Sequence, residues 1–247
     1  MPIKKNSMQR TVNDELGHNL QATDGVLGHV EDFFFDDANW TIRYLVVKTG
    51  TWLFGRKVLI SRKALIQHSW ESGIFPVNLT REQVRNSPDV DTVEPVSRQQ
   101  EEELAAYYSW EPYWGTGFYP GATMGVIPTT PVFDPGSVID QETTKPAGDP
   151  HLRSCLEVRS YHIDAIGDEI GRVDDFLMDD ETWQITHLIV NTHHSIGGKK
   201  VLIAVGHIQA IDWADARVVV DLTLDAIRQG TPVDKWDYII PEGDATV

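Results

Sequence analysis

The chain has 247 residues, a formal net charge of −16 and a single cysteine. This length fits one or two domains, the lone cysteine excludes an intrachain disulfide framework, and the acidic balance argues against general binding to nucleic-acid phosphates. The longest apolar run, at 201–205, is far shorter than the roughly 18 residues of a membrane-spanning helix, and the first residues lack the apolar core of a secretory signal. We therefore expect a cytoplasmic protein with no transmembrane segment.

An internal repeat dominates the sequence. Residues 28–85 recur without a gap at residues 171–228, at a constant offset of 143. Self-similarity at a fixed period is typical of a duplicated structural unit. We predict two copies of one small domain at 8–90 and 151–235, a connector at 91–150 and a tail at 236–247. A domain of this size buries only about 60% of its unfolded surface, so contact between the copies or with another chain is expected to stabilise it.

The first part of each copy has the composition of β-strands. In the first copy the apolar runs fall at 33–35, 42–47 and 58–60, and the acidic segments 36–39 and 179–182 are typical of hairpin turns. The apolar positions Val30, Phe33 and Phe35 are spaced by three and then by two, which strict alternation does not allow on one face. We therefore predict a β-bulge around Asp32, and likewise around Asp175, that helps a small sheet to curl closed.

The second part of each copy is predicted to continue in the same way. A second hairpin has its tip at 50–55, matched by 193–198. Two short strands follow around 66–70 and 74–77, matched by 208–213 and 218–220. Thr80 and Thr223 then act as N-caps of a short closing helix in each copy.

The connector begins with an acidic pattern and continues with aromatic residues. We predict a helix over 93–108 with Ser97 as N-cap and Glu101 in its first turns. Large rings then alternate with Pro and Gly, which forbids regular structure, and residues 121–150 are predicted to form an irregular tether. The rings either pack back over the domains as an internal strap, which we favour because so many exposed rings invite aggregation, or form an exposed patch that binds a partner or a membrane surface. The candidate partner-binding residues are Tyr108, Trp110, Tyr113, Trp114, Phe118 and Tyr119.

Four segments of the first copy resemble the PRC-barrel family. They are Asp24-Gly25-Val26-Leu27-Gly28-His29-Val30-Glu31-Asp32, residues 36–40, Tyr44-Leu45-Val46-Val47-Lys48-Thr49-Gly50 and Arg56-Lys57-Val58-Leu59-Ile60. The second copy departs from the pattern at Gly167-Asp168 and at His193. Residues 107–115 and 149–154 are similar to segments of bacterial proteins with two such domains. This small β-barrel is shared by the cytoplasmic part of the photosynthetic reaction-centre H subunit and the C-terminal half of a ribosome-maturation factor.

The resemblance implies a fold class and a kind of function. The fold is expected to be mainly β, with two small PRC-type β-barrels in tandem, each with a short closing helix, joined by the acidic helix and the irregular connector. The family implies a non-catalytic scaffold or adaptor that binds other proteins or itself, with no cofactor and no direct contact with nucleic acid. Two alternatives stay open: an RNA-processing or ribosome-associated factor, and an accessory at the membrane surface similar to the H subunit.

Several residue groups have side chains that also occur in chemical sites, and the structural interpretation is favoured for each. The acidic sets do not have the spacing of a Ca²⁺ loop and are expected to serve turns and bulges; they are Asp32, Asp36, Asp37, Asp175, Asp179 and Asp180. Adjacent His193 and His194 suggest a transition metal, but a solvated loop is favoured because further ligands are not evident.

The remaining candidates also lack a catalytic context. Asp212 and Asp215 flank Trp213 as an acid/base pair would, but turn positions are favoured. Cys155 has no nearby histidine, and neither Ser137 nor Ser195 lies in a nucleophile-elbow motif. Four tryptophans at equivalent places are expected to pack in or between the domains rather than stack on a ligand: Trp40, Trp183, Trp70 and Trp213. We therefore expect no enzyme activity.

Overall fold

The computed structural model describes residues 8–66, 70–88, 96–114, 152–192 and 199–229. The protein is mainly β, with two mixed sheets in two domains and few helices, as the sequence predicts. The elements before the second repeat are β1 (Gln9–Thr11), α1 (Val12–Glu15), β2 (Asn19–Ala22), β3 (Gly25–Asp36), β4 (Thr41–Thr49), β5 (Lys57–Ser61), β6 (Ile74–Pro76), α2 (Arg81–Arg85) and α3 (Arg98–Tyr108). Those that follow are β7 (Leu152–Ser154), α4 (Cys155–Val158), β8 (His162–Ile166), β9 (Asp168–Asp179), β10 (Ile185–Asn191), β11 (Lys200–Ala204), β12 (Ile208–Asp212), β13 (Arg217–Thr223) and α5 (Leu224–Gln229).

Each sheet curls until its two ends meet. The first sheet has the order β5-β4-β3-β2-β6, and the second has the order β11-β10-β9-β8-β13-β12. In the first domain Leu65, just after β5, forms an antiparallel bridge with Val77, just after β6. In the second domain β12 follows β11 after the 3-10 turn Val205–His207 and pairs with β13 at the equivalent place. The two sheets therefore close in the same way.

The opening elements of each repeat pack on the other domain. Strand β1 pairs with β9 of the second sheet, and β7 pairs with β3 of the first sheet. The two strands and the helices α1 and α4 that follow them lie 143 residues apart in the chain. We call β1 with α1 the N-terminal arm and β7 with α4 the internal arm. The arms are thus exchanged between the two domains, and each domain completes its sheet with a strand from the other repeat.

A short antiparallel contact joins the two domains at the centre of this exchange. Thr41 bridges Gln184, and these two residues are equivalent in the repeat. The Ile42 N–H donates to the Trp183 carbonyl at 2.9 Å, and the Ile185 N–H donates to the Trp40 carbonyl at 2.7 Å. Each hydrogen bond is the image of the other under the offset of 143 residues, so the domains are related by an approximate twofold axis.

One apolar core runs through both domains. Its fully buried members come from both repeats, for example Phe33, Phe75 and Phe176. The Trp183 ring lies 6.3 Å from the Phe33 ring and 5.1 Å from the Trp70 ring, both of the first repeat. The prediction that the tryptophans pack within and between the domains is confirmed for these contacts. The shared core supplies the extra burial that two small domains need.

The predicted bulges are present in both long strands. Val30 pairs with Val47 and Asp32 with Val46, so Glu31 is the extra residue in β3. Asp174 is the extra residue in β9, between the pairs of Val173 and Asp175. Asp32 and Asp175, which follow the extra residues, are both buried. The acidic hairpin turns at 36–39 and 179–182 are also confirmed: Asp36 accepts from the Ala38 N–H.

The remaining predicted elements are confirmed in part. Ser97 caps α3, but the described helix begins at Arg98, and residues 89–95 lie outside the described residues. The closing helices α2 and α5 follow Thr80 and Thr223 as predicted. The strand predicted at 66–70 is wrong at Trp70. This residue begins a 3-10 turn over Trp70–Ser72, because the chain reverses tightly here and the reversal ends at Gly73, with a φ of +64°. Its counterpart in the second domain, β12, is a strand.

Candidate functional site

The aromatic residues after α3 lie against the first domain. Ser109 ends the helix in the left-handed region, at a φ of +57°. The Tyr108 and Trp110 rings then stack with centroids 4.2 Å apart, and both pack against the main core. The Tyr113 ring meets the Tyr44 ring edge-on at 6.5 Å. The described contacts therefore support the internal strap, which we define as residues 109–114.

Three cationic side chains contact this strap. The Arg43 guanidinium lies 4.1 Å from the Tyr113 ring, and the Arg98 guanidinium lies 4.1 Å from the Trp114 ring. The Lys63 ammonium donates to the Glu111 carbonyl. Cation–π contacts of this kind add to the apolar contacts of the strap. Four of the six candidate rings are thus half-buried, and Phe118 and Tyr119 lie outside the described residues.

A buried carboxylate fixes α3 to the sheet. Glu101 is fully buried, and its Oε2 accepts a hydrogen bond from the Tyr44 hydroxyl at 2.9 Å. The Arg98 guanidinium lies 3.4 Å from the other carboxylate oxygen. Burial and the neighbouring Glu101 raise the pKa of Tyr44 above its ordinary range. The arrangement keeps Tyr44 as a neutral donor and anchors the helix that leads into the strap.

Two buried aspartates hold the exchanged arms. The Asp32 carboxylate accepts from the Leu156 N–H at 3.0 Å and from the Ser154 hydroxyl at 2.5 Å, both of the internal arm. Asp175 accepts from the Asn13 N–H of the N-terminal arm at 3.1 Å. Burial raises the pKa of Asp32 and the pKa of Asp175 to about 6. These hydrogen bonds give the two carboxylates a structural role.

The arms are also tied by equivalent ion pairs. Arg153 of the internal arm lies 2.5 Å from Asp37, and Arg10 of the N-terminal arm lies 3.6 Å from Asp180. The prediction that the acidic sets serve turns and bulges holds, but it missed this second role in the arm exchange. The sequence does not reveal this role in the arm exchange, because the constant offset between the copies does not indicate which domain an element packs against.

A largely buried carboxyl–imidazole pair of the first repeat has no equivalent in the second. Where the N-terminal arm passes into β2, the Glu15 Oε2 lies 2.9 Å from the His18 Nδ1. Burial raises the pKa of Glu15 to about 7 and lowers the pKa of His18. Val158 and Tyr161 stand at the equivalent positions. The largely buried position of the pair gives a substrate little access.

The other predicted chemical candidates separate into two groups. Cys155 is fully buried among apolar residues, and burial raises the pKa of its thiol, which keeps it unreactive. Asp212 accepts from the N–H groups of Ala214 and Asp215, so it serves a turn. His193, His194, Ser137 and Ser195 lie outside the described residues. Over the described ranges, no group of three or more His, Cys, Asp or Glu side chains is arranged to hold a metal ion.

Among the residues that the structure describes, the most exposed aromatic ring is not one of the predicted candidates. Phe54 ends the 3-10 turn Thr51–Leu53 between β4 and β5, with a φ of +54°, and its side chain is 97% exposed. The turn beneath it is held in place: the Trp52 Nε1–H donates to the Leu27 carbonyl at 2.8 Å, and the Gly50 N–H donates to the same oxygen at 3.2 Å. The signal in the sequence was a pair of aromatic residues between two glycines at a hairpin tip.

Cations and a second apolar side chain lie around this turn. The guanidinium of Arg81 is 4.6 Å from the Trp52 ring, and that of Arg85 is 5.7 Å away. Val26, next to Leu27, is half exposed. We call this set the hairpin-tip surface: Val26, Trp52, Phe54, Arg81 and Arg85. It is a rigid aromatic projection with a basic flank.

Comparisons with known proteins place part of the chain in a family. No helix in the described ranges has both the length and the apolar character needed to cross a membrane. A search of curated proteins found no match. A family model described as the PRC-barrel domain matches residues 20–75, which hold β2 to β6 and the hairpin tip, and does not extend to the second domain. The chain therefore contains one PRC-barrel domain, over residues 20–75.

Proposed function

We propose that the protein is a non-catalytic protein-interaction module built from two PRC-barrels, the second domain being a barrel of the same family as the first. The equivalence of the two domains supports the second part of this proposal. Strands β3 and β9 begin and end 143 residues apart, and so do β5 and β11. Both domains also have one parallel strand pair at the same place in the sheet, β2 with β6 and β8 with β13.

The exposure of Phe54 supports the interaction role. An aromatic side chain that is 97% exposed buries much apolar area only when another molecule covers it. Because hydrogen bonds from Trp52 and Gly50 hold the turn, little conformational entropy is lost when a partner binds. Central, rigid aromatic residues are the typical hot spots of protein interfaces.

Quantitative affinity purification from the native cell tests this role. The wild-type protein is compared with Phe54→Ala and with Ile166→Ala, which removes a 61% exposed side chain from the other domain. We expect recovery of the most enriched partner to fall at least about tenfold with the Phe54 variant, in line with a hot-spot residue. Recovery with the Ile166 variant should equal that of the wild type. Equal recovery with all three proteins would remove Phe54 as the docking residue.

A further inference from the structure

The hairpin-tip surface is basic although the chain is acidic. The first repeat, over 12–88, contains eight basic and nine acidic residues, whereas the connector over 89–150 contains two basic and eleven acidic residues. Around Trp52 the guanidinium groups of Arg81 and Arg85 lie on the same side as the exposed turn. We propose that this surface binds an acidic protein segment that carries an apolar side chain, an inference that rests on the proposed docking function.

The two arginines have charge available for such a segment. Within the described part of the chain, neither the Arg81 nor the Arg85 guanidinium has a carboxylate within ion-pair distance. The carboxylates close to them form no ion pair with either guanidinium: Asp24 accepts from the backbone N–H of Arg81 at 2.8 Å, and Glu82 lies between the two arginines in α2. The Nε of Arg81 is enclosed, so its Nη groups are the atoms left to bind a carboxylate, and the Arg85 side chain is exposed.

The shape of the surface also favours a short protein segment over other anions. The apolar part is small, with Phe54 fully exposed and Val26 half exposed, and the cations lie beside it rather than spread along a groove. A nucleic acid or an anionic bilayer presents negative charge over a wide area and is repelled by a chain of net charge −16. Aspartate or glutamate next to one apolar side chain matches both the size and the charge pattern.

Site-specific photocrosslinking in the native cell tests the proposal. Phe54 is replaced by p-benzoylphenylalanine, which retains an aromatic ring, and the crosslinked molecule is identified by mass spectrometry. The matched control carries the same photoreactive residue at Ile166. We expect a peptide adduct at position 54 whose neighbouring residues are rich in aspartate and glutamate. Adding Arg81→Gln and Arg85→Gln is expected to lower the adduct yield at least fivefold, while Lys199→Gln, at a site in the other domain, leaves it unchanged.

The possible outcomes separate this inference from the function on which it rests. A peptide adduct without acidic neighbours contradicts the proposal that the partner segment is acidic, and so does an adduct yield that the two arginine substitutions leave unchanged. Either result retains docking at Phe54. An adduct with lipid or nucleic acid overturns the protein partner. A yield at position 54 no higher than at position 166 overturns both proposals. Circular dichroism of each variant shows whether the fold is retained.

Discussion

Asp32 and Asp175, which lie 143 residues apart, each accept a backbone N–H from the first turn of a helix that belongs to the other repeat. The donors, Leu156 and Asn13, are also 143 residues apart. Each carboxylate therefore holds the arm that completes its own domain. A buried carboxyl in this position makes the stability of the arm exchange depend on pH.

The pH dependence follows from the sign of the two shifts. Burial raises the pKa of each carboxyl from 3.8 to about 6, so the folded protein binds protons more tightly than the unfolded chain. The stability from these groups is therefore complete below about pH 4 and is lost as the pH rises through about 6. A shift of this size corresponds to on the order of 2–3 kcal/mol for each group.

Asparagine at position 32 is expected to remove this dependence without breaking the contacts. Its Oδ1 retains the N–H donors Phe33 and Leu156, which lie at 2.7 and 3.0 Å, and its amide donates to the Ser154 hydroxyl. We expect Asp32→Asn to keep or raise the free energy of unfolding at pH 7 and to flatten its slope between pH 4 and 7. Urea unfolding at several pH values measures this, with the exposed Asp168→Asn as control. A loss of more than about 2 kcal/mol at pH 7 would show that the charge itself is needed.

The exchanged arms should keep two fragments together after the chain is cut. Strand β1 pairs with β9 and β7 with β3, and the core is shared. When a protease site inserted within residues 121–150 is cleaved, we expect both fragments to elute as one species in size-exclusion chromatography and to separate only in denaturant. Fragments that separate in native buffer would contradict the reciprocal exchange.

Two glycines are required by close contact with the neighbouring strand. A Cβ at Gly28 would lie 2.0 Å from the Lys48 carbonyl oxygen, and a Cβ at Gly171 would lie 2.1 Å from that of Asn191. Because the obstacle is backbone, we expect Gly28→Ala and Gly171→Ala each to cost at least about 2 kcal/mol in urea unfolding. Gly206→Ala, where no atom lies within 4 Å, serves as control and should change stability by less than about 0.5 kcal/mol. Similar values for all three would refute the close approach.

The hydrogen bond between Tyr44 and Glu101 is expected to hold α3 and the strap. In Tyr44→Phe the fully buried Glu101 carboxylate loses its donor at 2.9 Å, which should lower the free energy of unfolding by about 1–3 kcal/mol. Tyr107→Phe removes a hydrogen bond to the Gln83 carbonyl from a partly exposed residue and is the matched control. Proteolysis within α3 offers a second readout, which should quicken only in the Tyr44 variant.

The internal repeat was sufficient to predict much of the fold. Constant spacing between the copies identified equivalent strands, and the irregular spacing of Val30, Phe33 and Phe35 located the bulge in β3. Ser97 marked the start of α3 because its hydroxyl caps the helix in a way that local sequence shows. These features depend on neighbours in the chain, which is why a single sequence reveals them.

The arm exchange was not predictable in this way. The structural repeat begins at Gln9 and Leu152, but these strands share little beyond Arg10 with Arg153 and the hydroxyls of Thr11 and Ser154. Three-residue strands carry too little periodicity to be recognised. The exposure of Phe54 was not predicted for a related reason. Exposure depends on which other segments pack over the turn, and the sequence of the turn alone does not specify them.

The two domains are related by an approximate twofold axis near Thr41 and Gln184, as are the subunits of a symmetric dimer in which an arm of each subunit packs on the other. In a protein with a single repeat, the arm that completes the sheet would come from a second molecule, so folding would depend on protein concentration. Joining both copies in one polypeptide makes the exchange intramolecular, and assembly then proceeds at an effective concentration that the connector sets.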